Sequence, residues 1–212
     1  MSHLLHLDSS LRADGSRSRQ LSARYAEGWR ASHPGGTVTY RDLAADPVPH
    51  LDQAGFTSEF TPPADRTPEQ VAARALADQL IDELVAADMV LIGLPLYNFG
   101  PPSTFKAWFD WIVSPERTLG KLGGKDFVIV TARGGGYGPG TPREGWDHRE
   151  PWLRHALASL GVSDATFVHT ELTLARESPA MIPPRSRRRR GQEPRRGNRH
   201  HRRAPVGLRP VC

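Results

Sequence analysis

The sequence has almost no cysteine and no long apolar run. Its single cysteine is Cys212, the last residue, so it forms no internal disulfide and places no thiol near a candidate site. No span approaches the ~20 consecutive apolar residues of a membrane helix, and the N-terminus lacks the basic-then-apolar pattern of a secretory signal. We therefore expect a cytoplasmic protein that does not enter a membrane.

Positive charge is also scarce over most of the chain, although the 212 residues carry a formal net charge of +5. Eleven of the 28 Lys and Arg residues lie after Pro184, together with one acidic residue, Glu193. Residues 185–212 therefore carry a net charge of +10, and residues 1–184 carry −5. A segment so charged buries too little apolar area to offset the entropy of ordering it, so we expect residues 172–212 to be a disordered tail. The basic isoelectric point belongs to that tail and is poor support for nucleic-acid binding by the whole chain.

Two origins of the tail remain open. An out-of-frame translation of a GC-rich gene would be dominated by Arg, Pro and Gly, as residues 185–212 are. A genuine basic arm for RNA or DNA would also be a block of positive charge. We favour the frame error, because this composition matches it. The tail also has no helical apolar period and no aromatic residue.

Strand and helix signals alternate along residues 1–171 in the way typical of a parallel sheet with helices on both faces. The predicted strands are residues 3–8, 37–42, 89–94, 126–131 and one that contains 166–168. The predicted helices are residues 16–32, a second that begins after a capping box of Thr67 and Gln70, then 104–113 and 148–160. Residues 43–66 are predicted to be a surface loop with partial helix.

Two of these helices have a predicted buried face. The spacing of apolar residues gives Leu21, Tyr25 and Trp29 for the first helix, and Val71, Leu76, Leu80, Ile81 and Leu84 for the second.

The first strand opens into a loop with the features of a phosphate site. Ser9 ends the strand, Gly15 precedes the helix, Ser16 is a plausible N-cap and Ser18 lies two residues later. Free backbone N–H groups and the helix dipole then favour an anion at one position. No Lys follows the glycine and the spacing misses the dinucleotide fingerprint, so a mononucleotide is the better ligand. The alternative is that Ser16 and Ser18 only cap the helix.

Two other strands end in unusual loops. Tyr97, Asn98 and Phe99 follow the third strand and offer two flat faces and an amide, whereas residues 134–136, all glycine, follow the fourth. The alternatives are aromatic residues that close the edge of the core and a flexible turn. In a doubly wound sheet of order 2-1-3-4-5, the carboxyl ends of strands one, three and four meet in one crevice.

In order and spacing, these segments resemble the FMN-dependent NADH-azoreductases and quinone reductases of the flavodoxin-like fold. The matching segments are Ser9, residues 16–21, residues 95–99 with Pro102, Ser103, Lys106 and Trp108, and residues 132–135. The resemblance spans about residues 1–171, and its specific part is the Tyr-Asn-Phe loop with the Pro-Ser-x-x-Lys that follows.

The resemblance implies an α/β doubly wound parallel sheet of five strands, order 2-1-3-4-5, and a tightly bound FMN. The FMN phosphate would contact Ser9, Ser16, Arg17 and Ser18. The isoalloxazine would lie along Leu96, Tyr97, Asn98 and Phe99, and its pyrimidine edge would meet Ala132, Arg133, Gly134 and Gly135.

No catalytic side chain is assigned, because flavin N5 carries the chemistry, and no metal is expected. His148 and Tyr137 are the nearest candidates for a general acid, and we expect both at the surface.

The activity implied by the resemblance is two-electron transfer from NADH to quinones and aromatic azo compounds by a ping-pong mechanism, in a homodimer with active sites at the interface. The alternatives are a flavodoxin-type electron carrier, which is usually more acidic than −5, and a protein that binds nucleic acid through its tail. Two departures from the family are a short connection at residues 114–120 and the absence of a last amphipathic helix after Glu171. We expect the absence of the last helix to lower solubility or FMN retention.

Overall fold

The computed structural model describes residues 1–174, which form a five-stranded sheet with helices on both faces. The strands are β1 (His3–Asp8), β2 (Thr37–Asp42), β3 (Met89–Pro95), β4 (Asp126–Ala132) and β5 (Thr166–Thr170). Their order is β2-β1-β3-β4-β5 and all neighbours are parallel. The predicted strand order is therefore confirmed. The tail was predicted to begin at residue 172; residues 172–174 are described and hydrogen-bond to the loop that follows β4. The rest of the predicted tail, from residue 175 onward, and the question of a last helix lie outside the described residues.

Five α-helices connect the strands: α1 (Arg17–Ser32), α2 (Gln53–Ser58), α3 (Pro68–Ala86), α4 (Ser103–Ile112) and α5 (Arg149–Ser159). A 3-10 helix (Pro63–Asp65) lies between α2 and α3. Together with α2, it confirms the partial helix expected in residues 43–66. Within residues 1–174, none of these helices is long and apolar enough to cross a bilayer.

The inner face of α1 differs from the prediction. Its buried residues are Ser18, Ser22, Ala26 and Trp29, whereas Tyr25 is 37% exposed. This partly polar row faces the sheet, where the Ser22 hydroxyl donates a hydrogen bond of 2.8 Å to the buried Asp8 carboxylate at the end of β1. The predicted apolar stripe was wrong at Tyr25, and Leu21 only packs at the margin of the core.

The start of α3 confirms the predicted capping box. Gln70 N–H donates to the Thr67 hydroxyl at 3.3 Å, and Thr67 N–H donates to the Gln70 side chain at 3.0 Å. Leu80, Ile81 and Leu84 are fully buried as predicted. Val71 was predicted to be buried and is exposed, because the first turn of α3 uses Gln70 for its contacts with the α2 segment.

The core consists of two clusters, one on each face of the sheet. The larger lies between the sheet and α3, α4 and α5 and includes Leu5, Leu80, Trp108 and Leu153. On the opposite face, α1 contributes the helical residues of a smaller cluster centred on Trp29. Successive side chains of β1 and β3 therefore alternate between the two clusters, as expected of strands covered on both faces.

Gly93 in β3 provides a test of the packing between the sheet and α1. A Cβ at Gly93 would overlap the Asp8 carboxylate and lie 3.1 Å from the Ser22 hydroxyl. We expect Gly93→Ala to lower the free energy of unfolding by about 1–3 kcal/mol through overpacking.

The matched control is Gly28→Ala in α1, where a Cβ meets nothing within 4 Å. Alanine favours a helix, so the control should raise the free energy of unfolding by about 0.5–1 kcal/mol. Both changes are measured by urea denaturation. Equal stability of the Gly93→Ala variant and the wild type would contradict the predicted overlap.

Candidate functional site

The loops after β1, β3 and β4 meet in one cavity of about 400 Å³ at the carboxyl edge of the sheet. Seven of the twelve predicted cofactor residues line it: Ser16, Arg17, Ser18, Leu96, Tyr97, Ala132 and Gly134. Thr173 and Leu174, which follow β5, close one side. The predicted convergence of three distant segments is confirmed, and the site lies where open α/β sheets bind ligands.

The loop after β1 forms an anion site at the start of α1. Gly15 has φ +69°, which turns the chain into the helix, and Ser16 caps it by accepting from Arg19 N–H at 3.4 Å. The hydroxyl oxygens of Ser16 and Ser18, both buried, lie 3.2 Å apart. The N–H groups of the first turn have no partners within the helix. Together with the helix dipole, these donors favour a phosphate.

Two arginines add positive charge to this anion site. Arg17, which the resemblance implied, lines the cavity, and so does Arg12, which it did not. Arg17 also donates to the Gln20 side chain at 3.1 Å. The sequence shows that Arg12 is a cation in this loop, but no local pattern indicates that its side chain points into the cavity.

Ser9, predicted as a phosphate ligand, is fully buried beneath the cavity. Its hydroxyl donates to the Gly93 carbonyl at 2.9 Å, and its N–H donates to the same oxygen at 3.1 Å. Ser9 therefore fastens β1 to β3, and the next residue, Ser10, lines the cavity instead. A ligand role for Ser9 stays a prediction.

The loop after β3 is a tight turn held by two hydrogen bonds. Tyr97 N–H donates to the Gly100 carbonyl at 3.1 Å and Gly100 N–H donates to the Tyr97 carbonyl at 2.9 Å. Asn98 and Phe99 between them have φ +46° and +67°, as in a type I′ turn. Phenylalanine in this conformation stores backbone strain, a feature that concentrates at functional sites.

Two contacts maintain the strained residue Phe99. Its ring packs edge-on against Trp146 with 5.6 Å between the centroids, and its carbonyl accepts from His148 N–H at 2.9 Å. Asn98 and Phe99 do not line the cavity of the three loops; Asn98 lines a neighbouring apolar cavity of about 610 Å³.

Tyr97 connects this turn to the anion site. Its hydroxyl lies 3.2 Å from the Ser10 hydroxyl and accepts from Leu11 N–H at 3.2 Å. Sequence analysis missed this contact, because the two residues are 87 positions apart and no local pattern links them.

Contacts with β5 and with Leu174 position the glycine-rich loop after β4. Arg133 N–H donates to the Thr170 carbonyl of β5 at 2.8 Å, so this N–H is not available to a ligand here. Gly134 lines the cavity, and a Cβ on it would lie 2.8 Å from the Leu174 side chain, so a larger residue would require Leu174 to shift. Gly135 is buried behind it.

The Arg133 side chain turns away from the cavity toward carboxylates, which it approaches within 3.2 Å: Asp147, Glu150 and Glu171. The implied contact of Arg133 with the pyrimidine edge therefore stays a prediction, and its side chain has a different task in this structure.

Asp147 is the centre of a buried charge cluster beneath the site. Its carboxylate accepts from Arg149 N–H, in the first turn of α5, at 2.9 Å, and it lies 2.8 Å from the Arg149 guanidinium. Arg149 is fully buried and also donates to the Leu94 carbonyl at the end of β3 at 2.9 Å. Burial lowers the pKa of Arg149 to about 10.

A second polar cluster, in which Asp8 and His6 are buried and Tyr40 is half-exposed, lies behind the loop after β1. The Asp8 carboxylate accepts from the Tyr40 hydroxyl at 3.2 Å, and Arg19 forms a two-point ion pair with Asp42 at 2.6 and 2.7 Å. Burial and the nearby Asp8 and Asp42 raise the pKa of Tyr40 to about 12, whereas burial lowers the pKa of His6. The hydrogen bond from Arg19 lowers the pKa of Asp42.

The two candidates for a general acid lie outside the cavity of the three loops. His148 is exposed and lines the neighbouring apolar cavity. Tyr137 is half-buried, lines a third cavity beside Arg133 and stacks under Arg143. In the part of the chain that the structure describes, no group of three or more His, Cys, Asp or Glu residues is arranged to bind a metal.

Comparison with known proteins places residues 2–190 in a family described as having a flavodoxin-like fold. Over 187 residues, the chain is 50% identical to the FMN-dependent NADH:quinone oxidoreductase of Frankia alni, covering 85% of this chain and 89% of that protein. It is 47% identical over 180 residues to FMN-dependent NADH:quinone oxidoreductase 2 of Trichormus variabilis, covering 81% and 87%.

Solved structures with the same fold include an azoreductase from Bacillus anthracis, with a TM-score of 0.74 at 24% identity. That match covers 82% of this chain and 88% of the other. An FMN-dependent NADH-azoreductase from the same species, in complex with FMN, matches with a TM-score of 0.74 at 21% identity and covers 82% and 89%. At these identities, the structural matches bear on the fold.

Removal of the Asp147 charge tests the cluster beneath the site. Asp147→Asn would leave the buried Arg149 guanidinium without its carboxylate partner, and we expect the free energy of unfolding to fall by about 3–5 kcal/mol in urea denaturation. Asp164→Asn, at an exposed position, is the control and should change it by less than about 0.5 kcal/mol. Similar values for the two variants would contradict the claim that Asp147 compensates the buried charge of Arg149.

Proposed function

Because the chain belongs to the flavodoxin-like family of FMN-dependent NADH:quinone oxidoreductases, we infer that it is an enzyme of this activity and that FMN binds in the cavity of the three loops. The observation that carries this inference is the meeting of the loops after β1, β3 and β4 in one cavity, with the two serine hydroxyls at the start of α1 at one end. Reduction of aromatic azo compounds, a homodimer and a cytoplasmic location are further parts of the proposal.

The anion site fits the phosphate of FMN. The Ser16 oxygen accepts from Arg19 N–H, so its own proton is free for Ser18 or for a phosphate oxygen. Arg12 and Arg17 then supply the positive charge that a phosphate dianion requires.

The opposite end of the cavity fits a flat heterocycle. Pro95, Leu96, Tyr97, Ala132 and Leu174 line the cavity and give it apolar surface. Gly134 lets the backbone approach the edge of a ligand closely. We propose that the isoalloxazine lies on this apolar surface.

When bound, FMN supplies the two-electron redox chemistry, as a hydride acceptor from NADH and a donor to the quinone. The residues of this chain bind and orient: the anion site holds the phosphate, and the turn at Asn98 and Phe99 fixes Tyr97 through its backbone bonds to Gly100. No side-chain acid or base is assigned within the cavity. Activity therefore depends on how accurately the loops are placed.

The homodimer is proposed from the family resemblance and from aromatic surface beside the site. Phe99 and Trp146 are 41% and 51% exposed and pack against each other. A second subunit would cover such a pair and complete a pocket for an aromatic acceptor, a quinone or an azo compound. The cytoplasmic location is proposed because that compartment supplies NADH.

The proposed activity is tested by steady-state kinetics with NADH and a soluble benzoquinone. Because donor and acceptor would occupy the same place above one cofactor in turn, double-reciprocal plots should give parallel lines, the pattern of a ping-pong mechanism. The apoprotein is the control and should gain activity only when FMN is added. Activity without FMN, or intersecting lines, would contradict the respective part of the proposal.

The phosphate contacts are tested by comparing FMN with riboflavin, which lacks the phosphate. Arg17→Met and Arg12→Met should each raise the Kd of the apoprotein for FMN about tenfold. The Kd for riboflavin should stay nearly unchanged. Arg24→Met, an exposed arginine of α1, controls for net charge. If Arg24→Met raised the Kd for FMN as much as Arg17→Met does, a general effect of net charge would explain the result and the local phosphate contact would be disproved.

A further inference from the structure

The Arg19 guanidinium donates more hydrogen bonds than any other arginine near the site. Its neighbours Ser18 and Gln20 line the cavity, but Arg19 does not. Its Nε and Nη2 both donate to the carbonyl oxygen of Ser10, at 3.2 and 2.7 Å. The same guanidinium pairs with both oxygens of Asp42. Its side chain is 16% exposed, so it lies behind the loop rather than in the binding space.

The anchor of Arg19 is itself rigid. Asp42 ends β2, and its Oδ1 also accepts from the N–H groups of Ala44 and Ala45, at 3.0 and 3.2 Å. A planar guanidinium with five donors in fixed directions can bond to this carboxylate and to a carbonyl at the same time. A lysine has one ammonium at the same distance and cannot reproduce both contacts.

The Ser10 peptide that Arg19 holds is a junction between the two ends of the cavity. On one side, the Ser10 hydroxyl accepts from Arg12 N–H at 3.3 Å, within the anion site. On the other side, the Ser10 hydroxyl and Leu11 N–H both meet the Tyr97 hydroxyl. The orientation of this peptide therefore sets the place of the phosphate loop relative to the turn after β3.

We propose that Arg19 is a positioning residue for the cofactor: anchored on Asp42, it fixes the Ser10 peptide so that the anion site and Tyr97 stand at the separation that FMN requires. This inference rests on the proposed function, because it assigns to the same cavity a residue that does not touch the ligand. It also gives a task to Asp42, which likewise does not line the cavity.

Asp42→Asn separates positioning from simple electrostatics, because the two make opposite predictions. Loss of a negative charge near a phosphate site should tighten the binding of an anion. If Asp42 acts by anchoring Arg19, the loss should weaken it. We expect the Kd of the apoprotein for FMN to rise about threefold or more in Asp42→Asn and about tenfold or more in Arg19→Met.

The route through Tyr97 is tested by a double-mutant cycle of Arg19→Met with Tyr97→Phe, followed by flavin fluorescence quenching in the apoprotein. If Arg19 acts through the Ser10 peptide, the fold-increase in Kd of the double variant should fall short of the product of the single increases by at least about threefold. Arg24→Met in place of Arg19→Met is the matched control, and its effect should multiply with that of Tyr97→Phe.

The outcomes are separable. A wild-type apoprotein that does not bind FMN would overturn the proposed function and this inference with it. A wild type that binds FMN, together with an unchanged or lower Kd in Asp42→Asn, or with full multiplication in the cycle, would overturn the inference alone. If circular dichroism shows that Arg19→Met does not fold, Arg19→Lys replaces it. A Kd for FMN at or above that of Asp42→Asn would then support the proposal. A Kd between those of the wild type and Asp42→Asn would count against it.

Discussion

The parallel pairing of β1 with β3 and of β3 with β4 is the constraint on which the site depends. Parallel neighbours end at the same edge of a sheet, so the loops that follow them meet even though they are distant in the chain. Ser9 fastens the end of β1 to Gly93 of β3, and Leu96 N–H donates to the Ala132 carbonyl at 2.9 Å, which joins the ends of β3 and β4. The cavity is a consequence of this alignment.

Buried charge then fixes what the sheet has brought together. Arg149 reaches the Leu94 carbonyl at the end of β3, and Asp147 stands between the guanidiniums of Arg149 and Arg133. Such clusters contribute little net stability when compared with apolar packing, but they require specific geometry and fail when one member is lost. They suit a site whose side chains orient a cofactor, because that task depends on accurate placement of backbone.

Local sequence signals predicted the elements that depend on local physics. Apolar runs gave the buried strands, and the capping box at Thr67 gave the start of α3. Strand order followed from the alternation of strands and helices together with the family resemblance. The predictions failed where a tertiary contact decides the outcome. Ser22, which donates to the Asp8 carboxylate, is buried on the inner face of α1, whereas Tyr25 is not. The positive φ of Phe99 has no local signal. The contacts of Arg19 with Asp42 of β2 and of Arg149 with the Leu94 carbonyl of β3 span 23 and 55 residues, so no local pattern indicates them.

The account is tested most directly by the visible spectrum of purified protein under anaerobic conditions. The protein should be yellow after addition of FMN and removal of the excess, should lose its visible flavin absorption on addition of one equivalent of NADH, and should regain it when a quinone is added. Folded protein that stays colourless after exposure to excess FMN, or a flavin spectrum that NADH leaves unchanged, would contradict it.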